Sequence, residues 1–291
     1  MPVSEGVRAL EEGRAFVHLS GWRAFLAVGT DAVRWLNDLV TNRVDDIGPN
    51  ELRRTLFLDR TGRVRADVHV GTVGRDPSNP DGFRIYQDPV QPRSLEDLLS
   101  PYVLSSDVEL RPFDLGLGIV HSGIDAVQFM AWPGPRDRIG HFPVQSGETE
   151  TGLPAMRTST RIEATLQDAE VYRIRRGVPR FSVDFGPDFL PSEAAFDDLV
   201  DTTKGCFLGQ ESVSKVRNLG HPPRLVQAFD APEPLSPMAS ITAAGEQVGR
   251  ITSVAANDDG STACIGWVRW EARDARLKAE GRLALARRAG S

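Results

Sequence analysis

Two short runs of alternating apolar and polar residues, joined by a tight turn, most constrain the fold of this chain. Residues 64–70 carry an apolar side chain at every second position, which is the period of a β-strand with one buried face. Residues 52–58 form the other run, and Asp59-Arg60-Thr61-Gly62 between them has the composition of a turn. The pattern predicts a β-hairpin with one apolar and one polar face, packed in a sheet against a helix.

Helical patterns and further strands complete the expected fold class. Residues 30–40 and 164–177 carry apolar side chains at helical spacing with capping residues at their ends. After Pro222-Pro223 the chain changes to short alternating strands, typical of a small antiparallel barrel or sandwich. Because 291 residues is long for one compact core, we expect several domains. The sequence predicts an α+β protein with three portions: residues 1–112, 113–221 and 222–291.

Charge and composition narrow the class of function. The formal net charge of −6 argues against a broadly cationic surface, so no direct binding of nucleic acid is expected. No apolar run approaches the roughly 18 residues that span a membrane, and the first residues lack a signal core, so we expect a cytoplasmic protein, by default a monomer. Cys206 and Cys264 are too few for a disulfide framework and lack metal-ligand spacing, so no metal site is expected.

Residues 201–221 combine reactive and ionisable groups in a way that is unlike a core element. All but three of the 34 basic residues are arginine, yet Lys204 and Lys215 both lie here, on either side of Cys206. A nearby ammonium group favours the thiolate, so the two lysines are candidates to lower the pKa of Cys206 and make it reactive. Gly205 and Gly209 permit backbone angles closed to other residues and let a ligand approach closely.

A plainer interpretation of the same residues stays open. Cys206 would be a small buried side chain, since most lone cysteines pack in a core. Lys204 would be solvated, and Gln210-Glu211 would begin a helix. The chemistry of the segment does not decide between the two interpretations.

The run KGCFLGQES, residues 204–212, resembles the K-G-C-(Y/F)-x-G-Q-E signature of the YgfZ-type proteins in the glycine-cleavage T-protein superfamily. The lead-in from Val178 to Glu193 is similar to the spacing before that signature. Residues 35–42 and 58–64 resemble the N-terminal helix and hairpin of the superfamily. Together these matches cover most of residues 14–221.

The resemblance implies a fold and a function. The fold would be a cloverleaf of an N-terminal α/β folate-binding portion, a ferredoxin-like middle portion and a C-terminal β-barrel around a channel for tetrahydrofolate. The function would be that of a folate-binding accessory protein for iron-sulfur cluster assembly or repair, which indirectly supports tRNA modification. Its partners would be folate and iron-sulfur proteins or cluster-assembly factors.

The resemblance also implies site residues. The signature residues Lys204, Gly205, Gly209, Gln210 and Glu211 would contribute to folate binding. Cys206 would be the chemically active residue, as a thiol that engages a partner, a cluster or a folate-borne carbon.

Three positions outside the signature correspond to superfamily sites, and the first two of them, Asp67 and Arg175, depart from the superfamily pattern. Asp67 is the nearest match to the acidic residue beside the folate nitrogens, although Ala66-Asp67 stands where aminomethyltransferases carry an Asp-Asp pair. Arg175 replaces the glutamate that hydrogen-bonds the pterin ring, which disfavours ordinary glycine cleavage, and it could instead meet a folate glutamate tail. Glu193 stands near the folate in the superfamily, or it takes part in a helix cap at Ser192.

These departures leave two alternatives to the accessory role. One is a folate-dependent aminomethyltransferase or demethylase, which would depend on Asp67. The other is a non-enzymatic binding module that has lost folate, which Arg175 favours.

Overall fold

The structure of the chain is a computed structural model. It describes residues 3–12, 14–18, 21–48, 51–73, 82–104, 106–112, 115–121, 129–130, 139–145, 162–218 and 220–287. Much of the portion predicted to be ferredoxin-like, residues 122–128, 131–138 and 146–161, lies outside the described residues.

The predicted hairpin forms the middle of an antiparallel sheet near the N-terminus. Its strands are β2 Arg23–Val28, β3 Glu51–Leu58, β4 Val64–Val73, β5 Gly82–Gln87 and β6 Glu109–Pro112. They lie in the order β3-β4-β5-β2-β6. The hairpin prediction is confirmed, with both strands extended by one to three residues.

A second set of strands continues this sheet beyond β3. They are β1 Ala15–His18, β7 Leu115–His121, β8 Phe129–Met130, β9 Ile139–Gln145 and β10 Ile162–Ala164. Their order is β10-β1-β7-β9-β8, and β8 joins β3 in parallel, so that one sheet has ten strands. β1 thus pairs with strands from the predicted middle portion of the chain. The predicted domain limits stay a prediction.

The described helices are short. They are α1 Glu5–Glu11, α2 Ala32–Asn37, α3 Leu95–Leu99, α4 Leu166–Arg175 and α5 Gln210–Asn218. α2 ends well before residue 40, because Val40 leaves the helix to form a β-bridge with Phe57. α4 begins behind a capping box of Thr165 and Asp168, and Gly177 follows it at φ +72°.

The C-terminal strands close into a barrel, as the alternation in the sequence predicted. They are β11 Arg224–Ala231, β12 Ser240–Ala243, β13 Glu246–Ala256, β14 Thr262–Arg269, β15 Leu277–Ala279 and β16 Arg282–Ala286. Their order is β11-β14-β13-β12-β15-β16, with β16 paired back to β11. The sequence pattern did not indicate β12 and β15, since runs of three or four residues are too short to show an alternation.

The two faces of the N-terminal sheet have opposite chemistry. One face packs on α2 and α3 through buried side chains such as Val68, Phe83 and Ile85. The other face carries polar side chains, but Asp67 and His69 on it are only 8% and 6% exposed. The polar face is therefore turned towards the interior of the molecule, where a site can form. None of the described helices is long and apolar enough to cross a membrane.

Candidate functional site

Lys204, the first residue of the signature, is buried against the end of α2. Its Nζ donates hydrogen bonds to the carbonyl oxygens of Asn37 at 2.5 Å, Val40 at 2.6 Å and Asn42 at 3.0 Å. These carbonyls have no helical partner, because α2 ends at Asn37. Burial lowers the pKa of Lys204 to about 8. The ammonium group thus links the signature loop to the backbone at the end of α2.

The two signature glycines differ in what they do. Gly209 lies at φ +85°, and an added Cβ would stand 2.5 Å from the carbonyl oxygen of Asp59 in the hairpin turn. Beside it, Leu208 donates its backbone N–H to the carbonyl oxygen of Asp38. Gly209 is thus required by its backbone angle and by close packing. Gly205 has no left-handed φ, and an added Cβ would meet nothing within 4 Å.

Cys206 projects from this fastened loop as an exposed, free thiol. The next side chain, Phe207, is buried at 6% exposure, so the loop is held on both sides of the thiol. Cys264 is the opposite case, since burial raises its pKa to about 12 and it stays a neutral packing residue. The ammonium group of Lys204 is bound to carbonyls, and that of Lys215 pairs with Glu211 at 2.7 Å.

The plainer interpretation of the signature is therefore only partly correct. It was wrong for Cys206, which is exposed, and for Lys204, which is buried. It is confirmed for Gln210 and Glu211, which begin α5. No residue of α5 is buried, and its side chains are open to solvent or half-buried.

A small cavity of about 30 Å³ opens beside the inward polar face of the N-terminal sheet. This volume has room for about two water molecules. The lining residues come from that sheet and from the segment after α4; they are Trp22, Arg54, Asp67, His69, Asp88, Gln91, Pro179, Arg180 and Phe181. Asp67 is the one predicted site residue among them. The predicted folate-binding residues of the signature do not line this cavity, and their assignment stays a prediction.

Asp67 is held by a buried ion pair. Arg54 donates from Nε to Oδ1 at 2.8 Å and from Nη2 to Oδ2 at 2.5 Å. Burial opposes the charge on Arg54, yet the facing carboxylate outweighs it, and the pKa of Arg54 is raised. The side-chain amide of Gln91 accepts a hydrogen bond from the backbone N–H of Asp67 and donates one to the carbonyl oxygen of Asp67. The carboxylate is therefore fixed in position with both oxygens already engaged.

A second ion pair crosses the cavity wall from the sheet to the segment after α4. Arg180 donates to Asp88 from Nε at 2.6 Å and from Nη2 at 2.9 Å. Its third nitrogen, Nη1, donates to Glu170 on α4 at 3.1 Å. Burial opposes the charge on Arg180, but the two carboxylates prevail and its pKa is raised. The pair ties the two sides of the cavity together.

Glu193 and Arg175 do not line this cavity. Glu193 is buried, caps the backbone N–H of Leu190 at 2.7 Å and accepts from Arg224 of β11 at 2.9 Å. The capping prediction is thus confirmed in kind, although the N-cap is Leu190 and not Ser192. Arg175 donates to Glu11 of α1 at 2.7 Å.

The sequence patterns did not indicate Arg54, Asp88 or Arg180. Asp88 directly follows β5, and Arg180 follows Gly177-Val178-Pro179 at the predicted helix end, which are places where functional residues often lie. Neither position by itself identifies its partner. Within the described ranges, no group of three or more histidine, cysteine, aspartate or glutamate side chains could hold a metal ion.

Comparison of sequences gives remote relatives, and no family model matches the chain. It is 29% identical over 213 residues to the mitochondrial iron-sulfur cluster assembly factor IBA57 homologue of Mycosarcoma maydis, covering 66% of this chain and 51% of that protein. It is 25% identical over 221 residues to the corresponding Neurospora crassa protein, covering 69% and 50%. The chain thus spans about half the length of these relatives. Because both are named mitochondrial, the cytoplasmic location stays a prediction.

Comparison of structures identifies the fold. The chain matches the glycine cleavage system aminomethyltransferase T from Bartonella henselae with a TM-score of 0.80 at 14% identity, over 97% of this chain and 87% of that one. The fold is therefore that of the T-protein, and the predicted fold class, including the C-terminal barrel, is confirmed. The chain thus has the fold that its signature predicted, and its sequence similarity is to proteins named iron-sulfur cluster assembly factors.

Proposed function

We propose that this chain is a folate-binding accessory protein for the assembly or repair of iron-sulfur clusters, and that it supports tRNA modification indirectly through an iron-sulfur enzyme. The T-protein fold and the names of the sequence relatives support the general role. Folate would enter the cavity beside Asp67. The proposal assigns the chain to the YgfZ-type branch on the signature at residues 204–212.

The placement of Cys206 is the observation that carries the proposal. The thiol is exposed, while Lys204 and Phe207 on either side of it are buried. A loop that exists only for packing would bury its one reactive side chain. An exposed thiol on a fixed loop is available to a partner protein or to a folate-borne carbon, and one thiol cannot hold a cluster by the usual four-thiolate scheme.

Titration with tetrahydrofolate under anaerobic conditions separates the proposal from a module that has lost folate. We expect one site by calorimetry, with a Kd on the order of micromolar. Asp67→Asn should weaken binding at least about tenfold, or 1.4 kcal/mol, because Asp67 lines the cavity. Asp38→Asn, at an exposed position directly after α2, serves as the matched control and should bind normally. No heat of binding with the folded wild-type chain would contradict folate use.

Cys206→Ala should abolish complementation of a strain that is defective in an iron-sulfur enzyme, while leaving the fold intact. The physical reason is that the exposed side chain makes no core contact, so its loss removes chemistry and not packing. Cys264→Ala is the matched control, since it removes the buried thiol and should still complement. The readouts are enzyme activity in the strain and the thermal midpoint of each variant. Full complementation by Cys206→Ala would exclude a role for the thiol.

An aminomethyltransferase is the second candidate, because Asp67 does line the cavity. Both oxygens of Asp67, however, accept hydrogen bonds from Arg54. A carboxylate in this state is less available to stabilise a cation that develops on the substrate. Folate-dependent release of a one-carbon unit from an aminomethyl donor would establish this activity, and folate binding without turnover favours the accessory role.

A further inference from the structure

A groove of about 320 Å³ runs along α2, and we call it the α2 groove. Its volume lies in the range of binding pockets, roughly 300–1,000 Å³. Trp35 and Leu39, both largely buried, form an apolar floor, and Tyr102, from the turn after α3, lines the groove as well. The indole Nε1 of Trp35 donates a hydrogen bond to the carbonyl oxygen of Tyr102 at 2.8 Å. This bond joins the helix to the turn, so the shape of the groove is fixed before a partner arrives.

The rim of the α2 groove is acidic. Asp31 and Asp38, at the two ends of the helix, line the groove and are exposed. Asp107 lies beside Asp31, whose carboxylate accepts the backbone N–H of Asp107 at 2.8 Å. Hydrogen bonds from Thr30 lower the pKa of Asp107, so its carboxylate is charged at neutral pH. The cation of the lining is Arg34, whose side chain is 91% exposed and whose 3.8 Å contact with Asp38 is weak. Three carboxylates against one guanidinium group attract a positively charged partner.

An exposed leucine extends the apolar surface beyond the α2 groove. Leu104 is 91% exposed, and it lies two positions from Tyr102 and two from Ser106, both of which line the groove. Burial of a large apolar side chain by a partner is favourable. A small cation bound between the carboxylates would leave Leu104 in water. The surface therefore fits a polypeptide segment that carries both cations and apolar side chains.

The α2 groove ends at the signature loop. The carbonyl oxygen of Asp38 accepts a hydrogen bond from the backbone N–H of Leu208 at 3.2 Å. The side chain of Leu208 packs against the buried cluster that contains Trp35 and Leu39. Cys206, two residues before Leu208, is exposed. A segment held in the groove therefore places the rest of its protein near the thiol.

We propose that the α2 groove docks a basic segment of a partner protein, with apolar side chains between its arginines or lysines, and that this docking brings the partner to Cys206. The acidic rim selects the cations, and Trp35, Leu39 and Leu104 receive the apolar side chains. The inference rests on the proposed function for the class of partner, an iron-sulfur protein or an assembly factor. The groove takes no part in the binding of folate.

Three labelled peptides test the chemistry of this segment with the full chain, by fluorescence anisotropy. The first has two leucines flanked by arginines, the second has glutamate in place of each arginine, and the third has serine in place of each leucine. We expect the first to bind at least about tenfold more tightly than the others, and more weakly in about 0.5 M salt, which screens the rim. Equal binding of the second or third peptide would overturn the inference. If N-acetyl-arginine amide binds as tightly as the first peptide, the groove is a site for a small cation, which also overturns it.

Opposite charges at one exposed position separate docking from folding. Leu104→Arg adds a repulsive charge and should weaken the first peptide at least about tenfold, whereas Leu104→Glu adds an attractive one and should weaken it far less. Arg34→Glu removes the cation of the groove and should tighten the first peptide about threefold. Leu285→Arg, at an exposed position on β16, is the matched control and should bind like the wild-type chain. An equal loss in Leu104→Arg and Leu104→Glu would mean that charge does not select the partner.

Complementation of the iron-sulfur enzyme defect distinguishes this inference from the proposed function. Leu104→Arg should lose most of the complementation and Leu104→Glu should keep more, with wild-type thermal midpoints and wild-type affinity for tetrahydrofolate in both. If Leu104→Arg complements fully, or binds the first peptide like the wild-type chain, the inference is overturned and the proposed function stands. If the peptides follow the expected order but tetrahydrofolate does not bind, folate use fails and the docking surface stands. If the wild-type chain sediments as a dimer that Leu104→Arg dissociates, the groove holds a second copy of the chain, and the inference of a basic partner is overturned.

Discussion

Replacing Lys204 with methionine is expected to lower the free energy of unfolding by about 2 kcal/mol at pH 7, because three backbone carbonyls lose their shared donor. Methionine keeps the apolar stem, so the loss measures the ammonium group. Lys215→Met is the matched control: its ammonium group is exposed and pairs with the exposed Glu211, so the expected change is under about 0.5 kcal/mol. Urea unfolding followed by circular dichroism measures both. Equal midpoints for the two variants would contradict the structural role of Lys204.

The difference in unfolding free energy between the wild-type chain and Lys204→Met depends on pH, and its direction follows from the pKa of Lys204. Burial lowers the pKa of Lys204 to about 8, below the ordinary value of 10.5, so the folded chain releases the proton before the unfolded chain does. The unfolded state then binds more protons between these values, and stability rises with pH. The advantage of the wild-type chain over Lys204→Met should therefore increase from about pH 8 to about pH 10 and be smaller below pH 8. A difference that falls over this range would mean that the folded state retains the proton.

Patterns of apolar and polar residues in the sequence predicted the hairpin, α4 and the C-terminal barrel. The hairpin followed from strict alternation across residues 64–70, and the structure buries all four alternating apolar side chains. α4 followed from apolar spacing and from Gly177-Val178-Pro179 at its end, and the structure adds a capping box at Thr165. The barrel followed from alternation after Pro222-Pro223. For the hairpin and α4 the relevant contacts join residues that are near each other in the chain, whereas the barrel closes by pairing β11 with the more distant strands β14 and β16.

The cavity could not be predicted in the same way. Arg180 and Asp88 are 92 residues apart in the sequence, and their pairing depends on how the segment after α4 packs against the sheet. Lys204 reaches the end of α2 across 167 residues, so its burial could not be inferred from its polar neighbours. The signature predicted the fold, yet the charges that line the cavity lie elsewhere in the chain.

The ion pairs behind the cavity continue into the barrel. Arg173 on α4 is fully buried and donates to Asp184 at 2.7 Å, to the carbonyl oxygen of Val178 at 2.9 Å and to Ser253 of β13 at 3.0 Å. Asp184 also accepts from the backbone N–H of Arg180 at 2.9 Å. The guanidinium group of Arg173 therefore holds the segment that forms one wall of the cavity, from the side that faces the barrel. A substitution of Arg173 tests how far this contact supports the site.

Arg173→Met is expected to cost about 4 kcal/mol, because it leaves the carboxylate of Asp184, fully buried, without its cation. Differential scanning calorimetry and urea unfolding measure the loss, and Arg176→Met at the exposed end of the same helix should change stability by less than about 0.5 kcal/mol.

The double variant Arg173→Met/Asp184→Asn separates the buried charge from the packing of the arginine stem. Asparagine removes the uncompensated charge and keeps one acceptor oxygen in place of Oδ1, to which Thr252 and Ser253 both donate at 2.6 Å. The double variant should therefore be more stable than Arg173→Met by about 1–2 kcal/mol, a coupling that a double-mutant cycle isolates. If the two substitutions simply add, the loss comes from packing, and the ion pair does not support the cavity wall.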